Sequence, residues 1–543
     1  MPSAGHDPEK RTPMQRLAQP EAIANANGFL MSDAASHITG AVPSVDGSSH
    51  AYGAAGDEAI RTTRKYLFIS RRHSNDQAER STHVSRSERS VDVQAFIDGQ
   101  RFSPFQWTIL VLCFLVVAAD GFDTAAVGFI APSLVQQWGI ARSALGPVMS
   151  AALVGLGIGA LAAGPFADRI GRKTVLVLSV FFFGLWSLAA ARATSIESLT
   201  VLRFFTGLGL GAAMPNAVTL MSEYAPARIR AVAVNAMFCG FSGGLALGGF
   251  ASAWLIPKLG WPSVLVAGGI GPLVLSVLLI LLLPESAQFL AVRKGADQRI
   301  ARILQRIAPH DRFDGCRFFP VDVRRNSADS RSQWALAIIL SARYRFGTLM
   351  LWLAYFMGLL IYYLLTNWLP TLFKDTGFSG EKAALMTSLF PLGGILGNLC
   401  VGWVMDRFAG HRVIAFTYVL VGALVLLVGR GVGHQVWLGT LIFLTGTVAT
   451  SAVTSMSALA ASFYPTRARA TGVAWMLGIG RVGGVAGAFV GAALMGLGWQ
   501  FGAVFSLLAV PAVIAAGGVV LMMGREPLDH ASVDDNVGAI AIE

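Results

Sequence analysis

The sequence predicts an all-α membrane protein in which about 12 transmembrane helices form two six-helix bundles. Three observations lead to this fold class: the composition, the recurrence of long apolar stretches, and a repeat between the two halves. Of the 543 residues, 54% are hydrophobic and only 13% are charged, whereas roughly a quarter of residues are charged in soluble domains. One water-soluble core cannot bury so much apolar surface, which excludes an ordinary cytosolic enzyme.

The net charge of +11 does not arise from a basic tail. Residues 1–100 hold about as many acidic as basic side chains, so the excess lies in the apolar part of the chain. This distribution argues against nucleic acid as a partner. The cysteines are far apart in sequence and no pair has the spacing of metal ligands, so we expect neither a metal site nor a cofactor. They are Cys113, Cys239, Cys316 and Cys400.

Residues 1–98 are predicted to form a disordered cytoplasmic N-terminal tail. They are rich in Ser, Ala, Arg, Asp and His and show no lasting hydrophobic period, a composition typical of disorder. They also contain no signal-peptide core. The tail is interpreted as an uninformative extension or a start site assigned too far upstream, with a regulatory tail as the alternative.

From Trp107 onward, apolar runs of about 20 residues recur, the length needed to cross ~30 Å of hydrocarbon as a helix. The predicted spans of the first half are 107–130, 144–166, 174–192, 198–221, 231–256 and 262–283. Those of the second half are 346–370, 383–404, 412–430, 436–461, 470–496 and 500–523. The resulting organisation is an N-terminal bundle at 99–284, a cytoplasmic linker at 285–343, a C-terminal bundle at 344–524 and a cytoplasmic C-terminal tail at 525–543.

The basic residues of the loops predict the orientation of these spans. If the N-terminus is cytoplasmic, the short inner loops contain more Arg and Lys than the outer loops, and the Arg-rich linker adds to the inner side. We therefore expect a multi-pass protein of a bacterial inner membrane, with both termini in the cytoplasm.

The two halves carry the same loop motifs. Residues 164–173 read GPFADRIGRK, and residues 402–412, displaced by 238 residues, read GWVMDRFAGHR. A second pair, YAPARIR at 224–230 and YPTRAR at 464–469, has nearly the same displacement. Six spans separate the copies, so both halves have the same orientation and form a parallel repeat. Two such halves around a site at the membrane midplane are typical of a transporter.

The loop at 164–173, with its weaker copy, resembles the signature of the major facilitator superfamily, and the resemblance extends over about residues 91–526. Asp-Gly-Phe-Asp at 120–123 resembles the aromatic acid:proton symporters within it, as do Asn-Trp-Leu-Pro at 367–370 and Gly-Ile-Gly-Arg at 478–481. The resemblance implies a secondary active transporter, of the 4-hydroxybenzoate, benzoate or protocatechuate type, that imports an aromatic carboxylate with protons by alternating access. Its expected partners are the aromatic acid, protons and the lipid bilayer, and we expect a monomer.

Ionisable residues inside a bilayer span are costly and usually functional, and Asp120, Asp123, Arg203 and Arg481 are four of this kind. The aspartates are three residues apart and about 60° around the helix, so they can share a site. Burial and a like charge favour the protonated carboxyl, whereas a nearby arginine favours the carboxylate. We expect Asp120 or Asp123 to carry the proton, with Arg203 as its modulating partner; a structural ion pair is the alternative.

Arg481 is predicted to bind the substrate carboxylate, because its guanidinium offers a planar bidentate fork near the midplane. The equivalent position of the first half is Ser242, so this charge is present only once in the repeat. A packing or gating arginine is the alternative. Aromatic side chains that stack on the substrate ring, and an amide that donates a hydrogen bond to it, are predicted at Tyr362, Tyr363, Trp475 and Asn367; each aromatic side chain also fits a core or lipid-facing position.

The signature loop is predicted to act as a conformational gate built from charges that pair and separate. By resemblance it locks the two halves in the outward-open state, with Asp168 near the cytoplasmic end of the eleventh span. Glycines at 164 and 171 suit tight turns and close backbone approach. We expect Glu223 to pair with Arg169 or Arg172. The complete predicted gate is Gly164, Asp168, Arg169, Gly171, Arg172, Glu223, Asp406 and Arg407.

Two other functions are compatible with these features. One is proton-coupled uptake of a non-aromatic organic acid such as a dicarboxylate, and the other is a non-transporting membrane sensor. Export is disfavoured because the fifth span lacks the Gly-Pro pair of many drug:proton antiporters. An enzyme is not predicted, since the sequence contains no nucleotide-binding loop, metal cluster or hydrolytic constellation.

Overall fold

The computed structural model describes residues 90–293, 295–309, 311, 313, 316–319, 336–431, 435–465 and 468–523, without the side chains of residues 402, 403, 406, 470 and 523. The predicted N-terminal tail up to residue 89 and the predicted C-terminal tail lie outside the described residues.

Twelve helices in the described part of the chain are long and apolar enough to cross a membrane. In the first half they are α2 (Pro104–Trp138), α3 (Leu145–Ile170), α4 (Arg172–Ala190), α5 (Ile196–Tyr224), α6 (Arg230–Leu259) and α7 (Pro262–Leu282). In the second half they are α10 (Arg345–Asp375), α11 (Gly380–Arg407), α12 (Gly410–Arg430), α13 (Gln435–Phe463), α14 (Arg469–Gly496) and α15 (Phe501–Met523). The predicted fold class is confirmed.

Local sequence signals explain where these helices begin and end. At the start of α2, the Ser103 hydroxyl accepts a hydrogen bond from the Gln106 N–H, and the Gln106 side chain accepts one from the Ser103 N–H. This capping box, followed by proline at the first helical position, favours a helix start. At the other end Gly139 adopts a positive φ of 63°, which suits a left-handed C-terminal cap. The first span is therefore longer than the apolar run that predicted it.

The parallel repeat is visible in the helix boundaries. Helix α6 begins at Arg230 and α14 at Arg469, and α5 ends at Tyr224 whereas α13 ends at Phe463, so both pairs are 239 residues apart. Within the halves, α2 packs on α6 and α3 on α5, as α10 packs on α14 and α11 on α13. Each half therefore forms its own bundle with the same internal pairing.

The chain on either side of the first bundle is folded onto it. Strand β1 (Ser90–Asp92) pairs in parallel with β2 (Arg317–Phe319). Three short helices accompany the first bundle between these strands. Helix α1 (Val93–Gly99) precedes the bundle, and α8 (Ala287–Val292) and α9 (Asp297–Ile307) follow it.

Residues 90–98 are therefore ordered, although composition placed them in the tail. Val93 and Ile97 of α1 are buried in the core of the first bundle. A composition averaged over about a hundred residues does not reveal one short amphipathic helix. The Asp98 carboxylate also accepts hydrogen bonds from the Ala227 N–H and from Arg230, which attaches α1 to the start of α6.

The two bundles meet along α2 and α10, α3 and α14, and α6 and α11. At the end of the molecule that carries Asp375, here named the Asp375 end, two polar contacts join them. Arg142 Nη2 lies 2.7 Å from Asp375 Oδ1, and Lys374 Nζ donates a hydrogen bond to Gln136 Oε1 at 3.1 Å. The opposite end carries the signature loop and is named the Asp168 end. At the Asp168 end the side chain of Leu161 in α3 is 83% exposed, so neither bundle covers it.

Candidate substrate and proton site

Asp123 and Arg203 form an ion pair inside the first bundle. Arg203 Nη1 lies 2.8 Å from Asp123 Oδ1, and the two side chains are 1% and 0% exposed. Arg203 Nη2 also donates to the Asp123 backbone carbonyl at 3.2 Å, and the Ser187 hydroxyl of α4 donates to Asp123 Oδ1 at 3.1 Å. Three helices, α2, α4 and α5, thus converge on one carboxylate.

The pair is not fully satisfied by the described residues. Asp123 Oδ2 and Arg203 Nε are both buried without a hydrogen-bond partner among them. Beside Arg203 is a cavity of about 20 Å³, lined from the second bundle by Tyr363 and Asn367. This volume suits a water-sized molecule and is far too small for an aromatic acid. A substrate can reach this position only when the two bundles separate.

Asp120 has a different environment from Asp123. It is 2% exposed, and its Oδ1 accepts a long hydrogen bond of 3.4 Å from Thr124 of the same helix. Arg481 of the second bundle is within electrostatic range of Asp120, as it is of Tyr355 and Tyr363. Among the described ion pairs none joins Asp120 to an arginine. Asp120 and Arg481 therefore belong to different bundles and lie within electrostatic range of each other, with no ion pair between them among the described residues.

The sequence left open which of the two aspartates has Arg203 as its partner. The 60° between Asp120 and Asp123 is enough to direct one carboxylate into the first bundle and the other toward the second. Arg203 is the ion-pair partner of Asp123, and Arg481 is the charged neighbour of Asp120. The structure brings the four intramembrane charges into one region but divides them into two pairs.

Aromatic side chains of α10 flank the interface. Tyr362 and Tyr363 are buried, with ring centroids 5.7 Å apart, and Tyr362 also contacts Phe390 of α11 at 5.6 Å. Glycines of α14 make room for the tyrosines: a Cβ at Gly480 would overlap the Tyr355 ring. A Cβ at Gly484 would lie 2.7 Å from the Tyr363 ring. The small residues next to Arg481 thus allow α10 to bring its rings close to that arginine.

Two predicted substrate residues have contrasting positions. Asn367 is buried and lines the cavity beside Arg203 with Tyr363. Trp475 is 46% exposed and stacks on Trp352, with ring centroids 5.9 Å apart. Six residues correspond to about 240° around a helix, so Trp475 and Arg481 lie on different faces of α14. The structure groups Asn367 with the charged cluster and places the Trp475 ring on another face.

The signature loop forms a charge network at the Asp168 end. Gly171 adopts a φ of 102°, a conformation that L side chains rarely adopt, and a Cβ there would overlap the Glu285 carboxylate. Arg172 Nε lies 3.1 Å from Glu223 Oε1, which selects Arg172 over Arg169 as the partner of Glu223. The Ser286 hydroxyl donates a short hydrogen bond to Glu223 Oε2. This network joins α4, α5 and the segment after α7.

Asp168 is at the margin of that network. Its side chain is 74% exposed and lies 3.7 Å from that of Arg172, at the start of the next helix, so the pair is long and open to solvent on the Asp168 side. Gly164 does not make the expected close approach here, because a Cβ added to it would meet nothing within 4 Å. Arg169 is exposed, and its backbone carbonyl accepts a short hydrogen bond from Arg293.

The second copy of the loop is described only in part. Arg407 is the exposed last residue of α11, and the Asp406 side chain lies outside the described residues.

Some residues of the site were not identified from the sequence. Ser187, which hydrogen-bonds Asp123, is one small polar residue in an apolar span, and only helix packing reveals its role. Tyr355 was missed because aromatics are abundant in the spans. The Arg142–Asp375 contact joins the turn before α3 to the last residue of α10, 233 positions away, and the sequence indicated Arg142 only as a marker of topology.

Comparison with known proteins identifies the family. A family model described as Major Facilitator Superfamily matches residues 113–380 and 351–538. The chain belongs to the Major Facilitator Superfamily. A model for Enoyl-(Acyl carrier protein) reductase matches only residues 2–50, too small a part of the chain to show a family. This major facilitator protein is thus a transporter rather than an enzyme.

The curated relatives confirm the resemblance to aromatic acid transporters. The 4-hydroxybenzoate transporter PcaK of Pseudomonas aeruginosa is 54% identical over 431 residues, which cover 79% of this chain and 95% of that protein. The Gallate transporter of Pseudomonas putida is 50% identical over 428 residues, covering 78% and 94%. At this identity and coverage, the major facilitator protein described here shares their family.

Solved structures show the same fold at much lower identity. The inward open conformation of the xylose transporter XylE from E. coli has a TM-score of 0.61 and 17% sequence identity, and covers 80% of this chain and 99% of that chain. A likeness at this identity concerns the fold alone. The major facilitator protein is accordingly a multi-pass membrane protein with the architecture of that superfamily.

Proposed function

We propose that the protein imports an aromatic carboxylate of the benzoate or hydroxybenzoate class by proton symport with alternating access. The proposed location is a bacterial inner membrane, with both termini in the cytoplasm. The observation that carries the proposal is the placement of Asp120 and Arg481 on opposite sides of one bundle interface, beside buried tyrosines of α10. Relatives of 50% identity and more are transporters of 4-hydroxybenzoate and gallate, which supports the substrate class.

Arg481 is the proposed ligand of the substrate carboxylate. A guanidinium binds a carboxylate through two parallel hydrogen bonds, and the half-buried Arg481 has no ion-pair partner among the described residues. Tyr362 and Tyr363 supply flat apolar faces with polar tips, which suit a hydroxylated ring. Asn367 supplies an amide at the same interface.

Asp120 is the proposed proton carrier. Asp123 is held by Arg203 and Ser187, so its charge is compensated in every arrangement that keeps the first bundle intact. Among the described residues, Arg481 is the cation that acts on Asp120, and it belongs to the other bundle. A substrate carboxylate bound to Arg481 offsets the positive charge, which favours protonation of Asp120. Substrate and proton then bind together, as symport requires.

The contacts between the bundles support alternating access. In this conformation the bundles are joined at the Asp375 end by Arg142–Asp375 and Lys374–Gln136, whereas Asp168 of the signature loop is exposed. In the proposed orientation the Asp375 end is extracytoplasmic, so the conformation corresponds to release toward the cytoplasm. The reverse conformation breaks the Asp375-end contacts and engages Asp168.

Uptake of labelled 4-hydroxybenzoate into proteoliposomes tests this proposal. An inwardly directed proton gradient should drive accumulation, and a protonophore should abolish it. Unlabelled benzoate, gallate and protocatechuate should compete, whereas succinate should not. Competition by succinate alone would favour a carrier of non-aromatic acids, and the absence of any uptake would favour a sensor.

A further inference from the structure

A large basic cavity lies at the Asp168 end, away from the charged cluster between the bundles. Its volume is about 670 Å³, and it lies between the start of α4, the segment after α7, and the helices α8 and α9. Ile170 and Thr174, on either side of the start of α4, line it, as does Pro284, which follows α7. These positions lie at or next to the ends of three membrane-spanning helices, α3, α4 and α7. The cavity is therefore at the boundary between the membrane and the solvent.

Four arginines line this cavity. Arg299, Arg302 and Arg306 follow one side of α9 at spacings of three and four residues, and Arg293 follows α8. All four are exposed. The opposite side of α9 carries Ile300, Leu304 and Ile307, which are buried in the first bundle. The packing of α9 thus fixes its arginines on the cavity side.

Within the part of the chain that the structure describes, no carboxylate forms an ion pair with these arginines. Among the described residues, Arg299 and Arg302 have neither a hydrogen bond nor an ion pair. Arg293 and Arg306 lie over the rings of Phe289 and Phe105, contacts that leave the positive charge in place.

One carboxylate, that of Glu285, also lines the cavity. Its Oε1 accepts hydrogen bonds from the backbone N–H groups of Lys173 and Ser286, at 3.0 and 2.9 Å. The cavity therefore keeps a strong excess of positive charge.

The walls combine this charge with apolar surface. Ile170, Phe289, Leu290 and Ile303 line the cavity together with the arginines. The end of α7 beside it presents exposed Leu281 and Leu282, as expected of a helix that faces lipid. A soluble anion would contact only the arginines, whereas a phospholipid would contact both the arginines and the apolar surface.

We propose that this cavity binds the headgroup of an anionic phospholipid, with the acyl chains on the adjoining lipid-facing surface of α7. Basic clusters next to the ends of membrane helices attract anionic headgroups. Arg293 also hydrogen-bonds the Arg169 carbonyl, and Glu285 the Lys173 N–H. An occupied site therefore adds support to the signature loop from outside the bundle.

Lipid binding to the purified full-length protein in detergent tests the proposal. Native mass spectrometry with added dioleoyl phosphatidylglycerol should show about tenfold weaker binding to the Arg299→Gln/Arg302→Gln variant than to the wild type. The matched control is Arg343→Gln/Arg345→Gln, which removes two exposed charges from the start of α10 at the same end. The control should bind phosphatidylglycerol as the wild type does. Equal binding by all three proteins would overturn the proposal.

Two further arms identify the ligand. Dioleoyl phosphatidylcholine should bind more weakly than phosphatidylglycerol, and inorganic phosphate should not displace bound phosphatidylglycerol. Displacement by phosphate would indicate a soluble-anion site. Equal binding of phosphatidylcholine and phosphatidylglycerol would show that the site does not recognise the headgroup charge. If the glutamine variant does not fold, Arg299→Lys/Arg302→Lys and a salt series replace it. Binding that added salt does not weaken would then contradict the proposal.

Discussion

The two aspartates of α2 lie less than one helical turn apart, yet the fold gives them opposite surroundings. Asp123 is paired with Arg203 and Ser187 inside one bundle, whereas Asp120 faces Arg481 of the other bundle. Rigid-body motion of two bundles preserves contacts within each and changes contacts between them. The comparison thus separates a charge pair that holds a bundle together from one that responds to bundle motion.

The largest expected effect follows from breaking the pair inside the bundle. Removing one partner of a buried ion pair costs about 3–5 kcal/mol, so Asp123→Asn should strongly lower the free energy of unfolding. The double variant Asp123→Asn/Arg203→Gln should recover part of this loss, because no buried charge is left unpaired. Thermal unfolding of the purified proteins measures both. An Asp123→Asn protein as stable as the wild type would show that the pair is not structural.

The next largest effect is expected at Arg481, the proposed ligand of the substrate carboxylate. Arg481→Gln should lower kcat/KM for 4-hydroxybenzoate on the order of 100-fold, the cost of losing a buried charged hydrogen-bond partner. Arg481→Lys should be intermediate, since it keeps the charge without the bidentate fork. Arg430→Gln, at the exposed end of α12, is the control for loss of one arginine. Unchanged affinity in Arg481→Lys would remove Arg481 from the binding site.

Coupling is tested at Asp120. With one proton per substrate, a pH difference of one unit supports about tenfold accumulation of the substrate. The Asp120→Asn variant should no longer show this gradient-driven accumulation. Exchange of labelled for unlabelled substrate without a gradient should persist, because it requires no net proton movement. Uptake with an imposed gradient and counterflow without one measure the two properties. Full gradient-driven accumulation in both Asp120→Asn and Asp123→Asn would exclude a proton-carrying role for either residue.

A smaller effect is expected for the tyrosine hydroxyls. Tyr363→Phe should raise KM for 4-hydroxybenzoate about two- to tenfold, the range for one lost hydrogen bond, with less change for benzoate. Tyr344→Phe, at the residue just before α10 and outside the site, is the control for the loss of one tyrosine hydroxyl. Competition of 4-hydroxybenzoate and of benzoate against labelled substrate gives the ratio of their apparent affinities in each variant. Equal changes for the two acids would show that Tyr363 does not contact the ring hydroxyl.

The smallest effect is expected at the Asp375 end. The Arg142 and Asp375 side chains are partly exposed, and pairs of this kind contribute about 0.2–1 kcal/mol. Arg142→Gln should change the transport rate no more than about fivefold, while the KM for the acid stays unchanged. Initial rates at saturating substrate measure this effect. A rise in KM without a change in rate would place Arg142 in substrate binding instead of closure.

The sequence predicted the spans and the parallel repeat because hydrophobic length and loop motifs are local properties of the chain. It also identified the four intramembrane charges, since each is conspicuous in an apolar run. The choice of Asp123 over Asp120 as the partner of Arg203 was not predictable, because a spacing of three residues does not tell which helix lies next to which carboxylate. Trp475 is different: a separation of six residues already indicates a different face from Arg481. The order of residues 90–98 depends on partners more than 100 positions away, which no local pattern reveals.

The parallel pairing of β1 with β2 has a consequence for the order in which the protein is made. Ser90 pairs with Arg317 and Asp92 with Phe319, so the pairing closes a loop around all six helices of the first bundle. Every one of these residues precedes Arg345, where the second bundle begins. As synthesis proceeds from the N-terminus, the first bundle has all the contacts that close it before any helix of the second bundle has been made.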